Sequence, residues 1–142
     1  MFTRTSNPAQ AYSSTGVSSG AMSASPHGLV LMLYDGAMVC VAAARMHMQL
    51  EQKAEKSRAI SKAIAIISDG LMASLDTRAG GEIAERLLAL YQYMIEKLSE
   101  ANVHNRPEPL EETGRLLAEL HVAWAAIGKS SPTQPETAEA EN

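Results

Sequence analysis

LVLMLYDGAMVCVAAA, residues 29–44, is the stretch of this chain that fits two incompatible structures. Asp35-Gly36 between two apolar runs is typical of a β-hairpin, because both residues accept the positive φ angles of a type I′ turn. The same residues also fit the interior of an apolar helix. No other segment alternates apolar and polar residues, so a hairpin would lack partner strands and be marginally stable. Asp35-Gly36 is therefore predicted to lie inside a helix.

The overall composition agrees with a helical protein. The chain has 142 residues, 46% of them hydrophobic, which suffices for one domain with a core. Aromatic residues, which favour strands, are few: four Tyr, one Trp and one Phe against eight Met. Twelve Lys and Arg against sixteen Asp and Glu give a net charge of −4, so nucleic acid is not an expected partner.

The location of the protein is predicted from its apolar segments. The N-terminal residues contain no apolar h-region of a secretory signal, so a cytoplasmic location is expected. The most apolar window, residues 29–44, is shorter than the roughly 18 to 20 residues of a membrane-spanning helix and contains Asp35. No membrane insertion is predicted. The single cysteine, Cys40, fits a buried small side chain better than a reactive thiol.

Hydrophobic periodicity predicts four helices, over residues 26–50, 53–76, 82–101 and 109–127. Ser25-Pro26 is a typical helix start, because serine caps a free N–H and proline holds helical φ in the first turn. Ser68-Asp69-Gly70 is expected to loosen the second helix, and residues 77–81 are predicted to form a turn. The apolar stripes of the last three helices comprise Ile60, Ile64, Ile67, Leu71 and Leu75; Ile83, Leu87, Leu90, Met94 and Leu98; and Thr113, Leu116, Leu117, Leu120, Trp124 and Ile127.

Four helices with short links predict an all-α antiparallel four-helix bundle. Residues 26–128 would form this bundle. Residues 1–25 are rich in Ser, Thr and Ala and are predicted to be a flexible N-terminal arm, and residues 129–142 to be a disordered acidic tail. Tyr91 is expected to be more buried than Tyr93, and Trp124 is expected in the core.

The first predicted helix has an unusually wide apolar arc, since only a narrow strip through Asp35, Ala42 and Gln49 is polar or small. Such an arc indicates contact with more than one neighbour: the arm folds back over it, or a partner helix docks there. Gly36 costs about 1 kcal/mol in a helix interior, which fits a close backbone approach. Asp35 either faces water or accepts a hydrogen bond, and the helix's four Met residues suit either a core or a surface that repacks.

The chemistry of a catalytic or metal site is missing from the sequence. Alanine stands three residues before every histidine, so the Glu-x-x-His pairs of di-iron bundles are absent. Gly128-Lys129-Ser130 resembles the end of a P-loop, but the required earlier glycine would fall at Ala123, inside a helix. Neither zinc-ligand spacing nor a base for Cys40 is found. The sequence therefore favours binding over catalysis, without a cofactor.

The order of several segments resembles the FliS family of flagellar secretion chaperones. The segments are SPHGLVLMLYDGAM, KAIAIISDGLMASLD, GGEIAERLLALYQYM, SEAN and LLAELHVAW, and the likeness spans residues 12–127. The resemblance implies a small cytoplasmic helical bundle that binds the disordered C-terminal segment of flagellin, prevents premature polymerisation and delivers its client to the type III export gate.

The apolar arc of the first helix and the resemblance together give candidate partner-binding residues. In the family the N-terminal segment covers part of the flagellin surface, so Tyr12 is expected either to occupy a groove lined partly by the first helix until the client displaces it, or to be a disordered part of the arm. The candidate residues are Tyr12, Leu29, Leu33, Tyr34, Gly36, Met38, Val41 and Tyr91. The alternative from a different class is a structural or regulatory bundle that self-associates weakly through its first helix and has no secretion client.

Overall fold

A computed structural model describes residues 25–130, so the predictions for the arm before Ser25 and for residues 131–142 lie outside the described residues. The helices are α1 (Pro26–Gln49), α2 (Lys53–Ala65), a π-helix (Ile66–Met72), α3 (Thr77–His104) and α4 (Pro107–Ser130). No strand forms within residues 25–130, and the all-α prediction is confirmed. The last helix continues past the predicted end of the bundle at residue 128.

The start of α1 has the predicted cap. The Ser25 hydroxyl accepts a hydrogen bond from the Gly28 N–H at 2.9 Å, and Pro26 occupies the first turn. Asp35 and Gly36 lie in the middle of α1, so the hairpin is excluded. The helix is 24 residues long and carries no Asp or Glu in its first turn, so the cap is the main polar feature of its N-terminus.

Side-chain pairs between helices establish the antiparallel order. Asp35 pairs with His121 at 3.0 Å, and Arg45 pairs with Glu111 at 3.5 Å, so residue numbers rise along α1 while they fall along α4. The beginning of α2 similarly meets the end of α3, where Lys56 reaches the Asn102 carbonyl. The predicted antiparallel bundle is therefore present.

The core explains the wide apolar arc of α1. This helix packs against α2, the π-helix and α4, and Tyr34, Ala37 and Val41 on it are 1%, 0% and 2% exposed. Asp35, Ala42 and Gln49 are exposed, as the helical wheel predicts. The rest of the core comes from the other helices: Ile60, Ala63, Ile66, Ile67, Leu71, Tyr91, Met94, Leu98, Ala101, Leu110 and Leu117.

The apolar stripe of α3 begins later than predicted, and the stripe of α4 ends earlier than predicted. Ile83 is 72% exposed and Ile127 is 54% exposed, so both predicted core positions are wrong. Ile83 lies just after Gly81, whose φ of 57° breaks the helical path, so the stripe of α3 begins only at Ala84. The predicted turn over residues 77–81 is mostly helical, because the Asp76 carboxylate caps the first turn.

The second predicted helix changes its winding at the segment expected to loosen it. Residues of Ile66–Met72 adopt a π-helix, a wider and rarer turn that is common at functional sites. Gly70 in this segment lies against α1: a methyl group at its Cα would stand 2.8 Å from Leu33 Cδ2. The absence of a side chain at Gly70 therefore lets the π-helix approach α1 closely.

The same composition that makes α1 a core helix also satisfies simple criteria for a membrane span. Among the described helices, Pro26–Gln49 has the length and a mean hydropathy of 1.6 over an 18-residue window. Core helices of soluble proteins meet these criteria too, and 39% of that window is buried inside the bundle.

Candidate partner-binding site

A cavity of about 770 Å³ opens at one end of the bundle. It lies between the beginning of α1, the end of the π-helix with the link that follows, the first half of α3 and the end of α4. Most of its lining is apolar. The lining residues are Pro26, His27, Leu29, Val30, Leu33, Asp69, Gly70, Ala73, Ser74, Leu75, Leu87, Tyr91 and Trp124.

Part of the cavity lining lies where α1 meets the π-helix. Leu33 is 2% exposed and contributes to the lining from α1, and Gly70 contributes from the π-helix. Because Leu33 already lies in the space that a side chain at position 70 would occupy, a larger residue there would push Leu33 toward the cavity.

Two tyrosine hydroxyl groups meet beside the cavity. The oxygen atoms of Tyr34 and Tyr91 are 2.6 Å apart, and both side chains are almost completely buried. Burial raises the pKa of both phenols, so both remain protonated at neutral pH. Tyr91 lines the cavity, and Tyr34 lies behind it in the core.

His27 and Trp124 hold the beginning of α1 to the end of α4 at the rim of the cavity. Their rings stack with centroids 5.3 Å apart and an interplanar angle of 11°. The Trp124 indole N–H donates to the His27 carbonyl at 3.2 Å, and His27 Nε2 lies 2.6 Å from the Trp124 carbonyl. Since a carbonyl only accepts, His27 carries a hydrogen on Nε2. Gly128 leaves the room that the His27 ring occupies.

The candidate residues named from the sequence divide into three groups. Leu29, Leu33 and Tyr91 line the cavity, and Tyr34 supports Tyr91 through the hydroxyl pair. Val41 has a core position beside Gly114.

The remaining candidates lie elsewhere. Met38 is partly buried against the core, and Gly36 is half-buried in the middle of α1. Among the described residues, glycines allow close approaches at Gly70, against Leu33, and at Gly128, against His27. Tyr12 lies outside the described residues.

Sequence reasoning missed most of the cavity. His27 was assigned no role from the sequence, and Trp124 was assigned to the core, because a Trp on a regular apolar stripe has the same spacing in a core as on a cavity wall. Trp124 is only partly buried, so the prediction of a core position is wrong. Gly70 gave a usable indication, since glycine in a helix interior marks either a loose turn or a close approach.

Two further predictions concern reactive and charged side chains. Cys40 is 8% exposed, and burial raises the pKa of its thiol, which fits the predicted buried small side chain. Asp35 Oδ1 lies 3.0 Å from His121 Nε2 across the α1–α4 contact, and the Asp35 side chain remains largely exposed. Within residues 25–130, no group of three or more His, Cys, Asp or Glu side chains could hold a metal ion.

An open, mostly apolar cavity at one end of a small helical bundle is a typical candidate site for a ligand or for a helical segment of another chain. Comparison with known proteins identifies the family of the chain. Residues 8–131 match the family described as flagellar protein FliS, and the chain belongs to this family. The resemblance found in the sequence is thereby confirmed, and the chain is placed among the flagellar export chaperones.

Curated relatives support the same assignment. The chain is 42% identical over 130 residues to the flagellar secretion chaperone FliS of Salmonella typhimurium, covering 92% of this chain and 96% of the relative. It is 40% identical over 116 residues to the flagellar secretion chaperone FliSB of Pseudomonas aeruginosa, covering 82% and 91%. A FliS of Campylobacter jejuni is 31% identical over 103 residues, covering 72% and 80%.

Proposed function

We propose that this chain is a cytoplasmic chaperone that binds the disordered C-terminal segment of flagellin, prevents its premature polymerisation and assists its delivery to the flagellar export gate. The observation that carries the proposal is the open apolar cavity in a chain of the FliS family. The role requires binding without catalysis and without a cofactor. Coupled folding of a disordered segment typically buries about 1,000 to 3,000 Å².

The cavity suits an anchor of such a segment better than the whole of it. Its lining is mostly apolar, so large apolar side chains of the client would be removed from water when they enter the cavity, and their burial would stabilise the complex. The rest of the client would follow the bundle surface, where Met46 on α1 and Val122 on α4 are 48% and 68% exposed.

The test uses the full chain and a synthetic peptide of the flagellin C-terminal segment from the same organism. Trp124 is the single tryptophan and lines the cavity, so its fluorescence reports occupancy. Circular dichroism of the mixture, compared with the sum of the parts, reports the helicity that the peptide gains. An unchanged spectrum together with no binding heat in calorimetry at several temperatures would overturn the proposal.

Two matched variants on α1 locate the binding site. Leu29 lines the cavity, whereas Val39 on the same helix is 68% exposed and is not part of the lining. Leu29→Asp should weaken peptide binding by about tenfold or more, because a carboxylate would be buried against the client. Val39→Asp should change the affinity by less than about twofold, since exposed substitutions away from a site have small effects.

A second candidate function, self-association without a client, is favoured by exposed apolar side chains. Val39 on α1 and Val122 on α4 are each 68% exposed, and the Asp35–His121 pair joins these two helices. Sedimentation equilibrium of the wild type and of Val39→Asp tests this candidate. A dimer that dissociates in the variant, in a protein that binds no flagellin peptide, would favour self-association.

The role of the arm is also a proposal. The arm joins α1 at Ser25, next to Pro26 at the rim of the cavity, so about a dozen residues between Tyr12 and the helix give it ample reach. We expect Tyr12 to occupy the cavity until the client displaces it, because a tethered group competes at a high effective concentration. Deleting residues 1–24 should increase the binding of an apolar dye and promote self-association. A truncated chain that stays monomeric and binds no more dye would leave the arm as a linker only.

A further inference from the structure

The Tyr34–Tyr91 pair has more donor capacity than the bundle uses. Each phenol carries one hydrogen, and the 2.6 Å contact between the two oxygen atoms uses one of them. In the part of the chain that the structure describes, neither hydroxyl makes another hydrogen bond. Among residues 25–130, one O–H group of the pair therefore has no acceptor.

The position of the two rings indicates which hydroxyl keeps the unused hydrogen. Tyr91 belongs to the cavity lining, whereas Tyr34 is 1% exposed and is not part of it. If Tyr34 donates to Tyr91, then the Tyr91 hydrogen is free to point toward the cavity. A hydroxyl that accepts one hydrogen bond also becomes a stronger donor, because successive hydrogen bonds polarise each other.

We infer that Tyr91 donates this hydrogen to an oxygen atom of the segment that docks in the cavity, and that Tyr34 positions and polarises it. The inference rests on the proposed function. The acceptor is a backbone carbonyl at an exposed helix end or extended stretch, or the side-chain oxygen of Asn or Gln. An otherwise apolar cavity then fixes the register of its occupant, since an apolar group at this position would leave a buried donor unpaired.

Three proteins separate this role from a structural one: the wild type, Tyr34→Phe and the double variant Tyr34→Phe/Tyr91→Phe. Tyr34→Phe removes the bond between the rings but keeps the Tyr91 hydroxyl at the cavity. The double variant removes that hydroxyl as well, and replacing both partners by apolar rings of the same shape is close to neutral for folding. Thermal unfolding of each protein checks that all three are folded at the temperature of the binding measurement.

The measurement is titration of each protein with the flagellin C-terminal peptide, followed by Trp124 fluorescence and calorimetry. Tyr34→Phe should bind about two- to threefold more weakly than the wild type, because the Tyr91 hydroxyl loses the group that positions it, and the double variant should bind about 3- to 10-fold more weakly than Tyr34→Phe. Equal affinities of the two variants would overturn the inference while leaving the proposed function intact. A wild type that does not bind the peptide would overturn both.

Discussion

Lys56 should stabilise the end of the bundle that lies opposite the cavity, and replacing it by methionine tests this. Its side chain is 4% exposed, and its ammonium donates to the Asn102 carbonyl at 3.2 Å and to Asn105 Oδ1 at 3.0 Å. Among residues 25–130, no ion pair includes Lys56. The positive charge is therefore balanced by the carbonyl end of α3, where helix partial charges are negative.

Two opposing effects determine the magnitude. Each hydrogen bond from a charged donor contributes about 1.5–3 kcal/mol, so losing two would cost about 3–6 kcal/mol. Removing a buried charge recovers part of its desolvation penalty, which is about several kcal/mol for an ion in a protein interior. Methionine keeps the apolar stem, and the exposed Asn105 can turn to water. We expect Lys56→Met to lower the free energy of unfolding by about 1–3 kcal/mol.

Urea unfolding followed by circular dichroism measures this loss, and Lys53→Met is the matched control. Lys53 is exposed one turn earlier on α2, so its replacement should change the stability by less than about 0.5 kcal/mol. Peptide binding should stay within about twofold of the wild type, because the cavity lies at the other end of the bundle. A Lys56→Met protein as stable as the wild type would refute the reasoning, since desolvation would then outweigh both hydrogen bonds.

Three further predictions follow from the cavity and the hydroxyl pair. Gly70→Ala should weaken flagellin peptide binding several-fold while costing about 1 kcal/mol in urea unfolding, because Leu33 must move toward the cavity; unchanged affinity would contradict this. Trp124→Ala should lower the free energy of unfolding by about 2–4 kcal/mol, less than for a fully buried Trp, since only part of the ring is buried while the stacking and one hydrogen bond are lost; a loss below about 1 kcal/mol would show that the His27–Trp124 contact does not hold α1 to α4. Burial in the folded protein raises the pKa of Tyr34 and Tyr91 above the usual value of 10.0, so the unfolded chain loses these protons at lower pH than the folded chain. The free energy of unfolding should therefore be unaffected by these groups below about pH 10 and should decrease as the pH rises above it. Urea unfolding at several alkaline pH values should show a steeper fall for the wild type than for Tyr34→Phe/Tyr91→Phe, and parallel curves would argue against burial of the phenols.

The sequence was sufficient for the number and order of the helices and for the start of α1, because that start is determined locally. Ser25 and Pro26 determine the start of α1 through a cap and a fixed φ, independently of the rest of the chain. Asp35-Gly36 was assigned to a helix because the chain offers no partner strands. The greater burial of Tyr91, at 2% exposure against 36% for Tyr93, also followed from helical geometry alone.

The cavity could not be predicted in the same way, because no single helix contains it. Leu33, Gly70, Leu87 and Trp124 come from α1, the π-helix, α3 and α4, and only the packed bundle brings them together. Periodicity distinguishes an apolar face from a polar one, but it gives the same pattern for a side chain that fills a core and for one that lines a cavity. A search for a 3.6-residue period also does not detect the π-helix, because its turns are wider than those of an α-helix. Glycine at position 70 was the one local indication of the close approach.

The two ends of the bundle thus differ in how their helices are held together: one contains the apolar cavity, and the other is closed around Lys56. An apolar cavity costs stability, because its lining residues lack the contacts that a filled core would give them. The cavity lies where α1 begins and α4 ends. At this end the His27–Trp124 stacking and the two hydrogen bonds between these residues keep the two helices together. At the other end, Lys56 closes the contact between α2 and α3 without leaving a comparable opening. His27 and Trp124 both line the cavity and join α1 to α4. An occupant that contacts them therefore also affects the stability of the α1–α4 contact. Client binding should therefore stabilise the whole bundle, and a cavity filled by larger side chains would gain stability at the expense of binding.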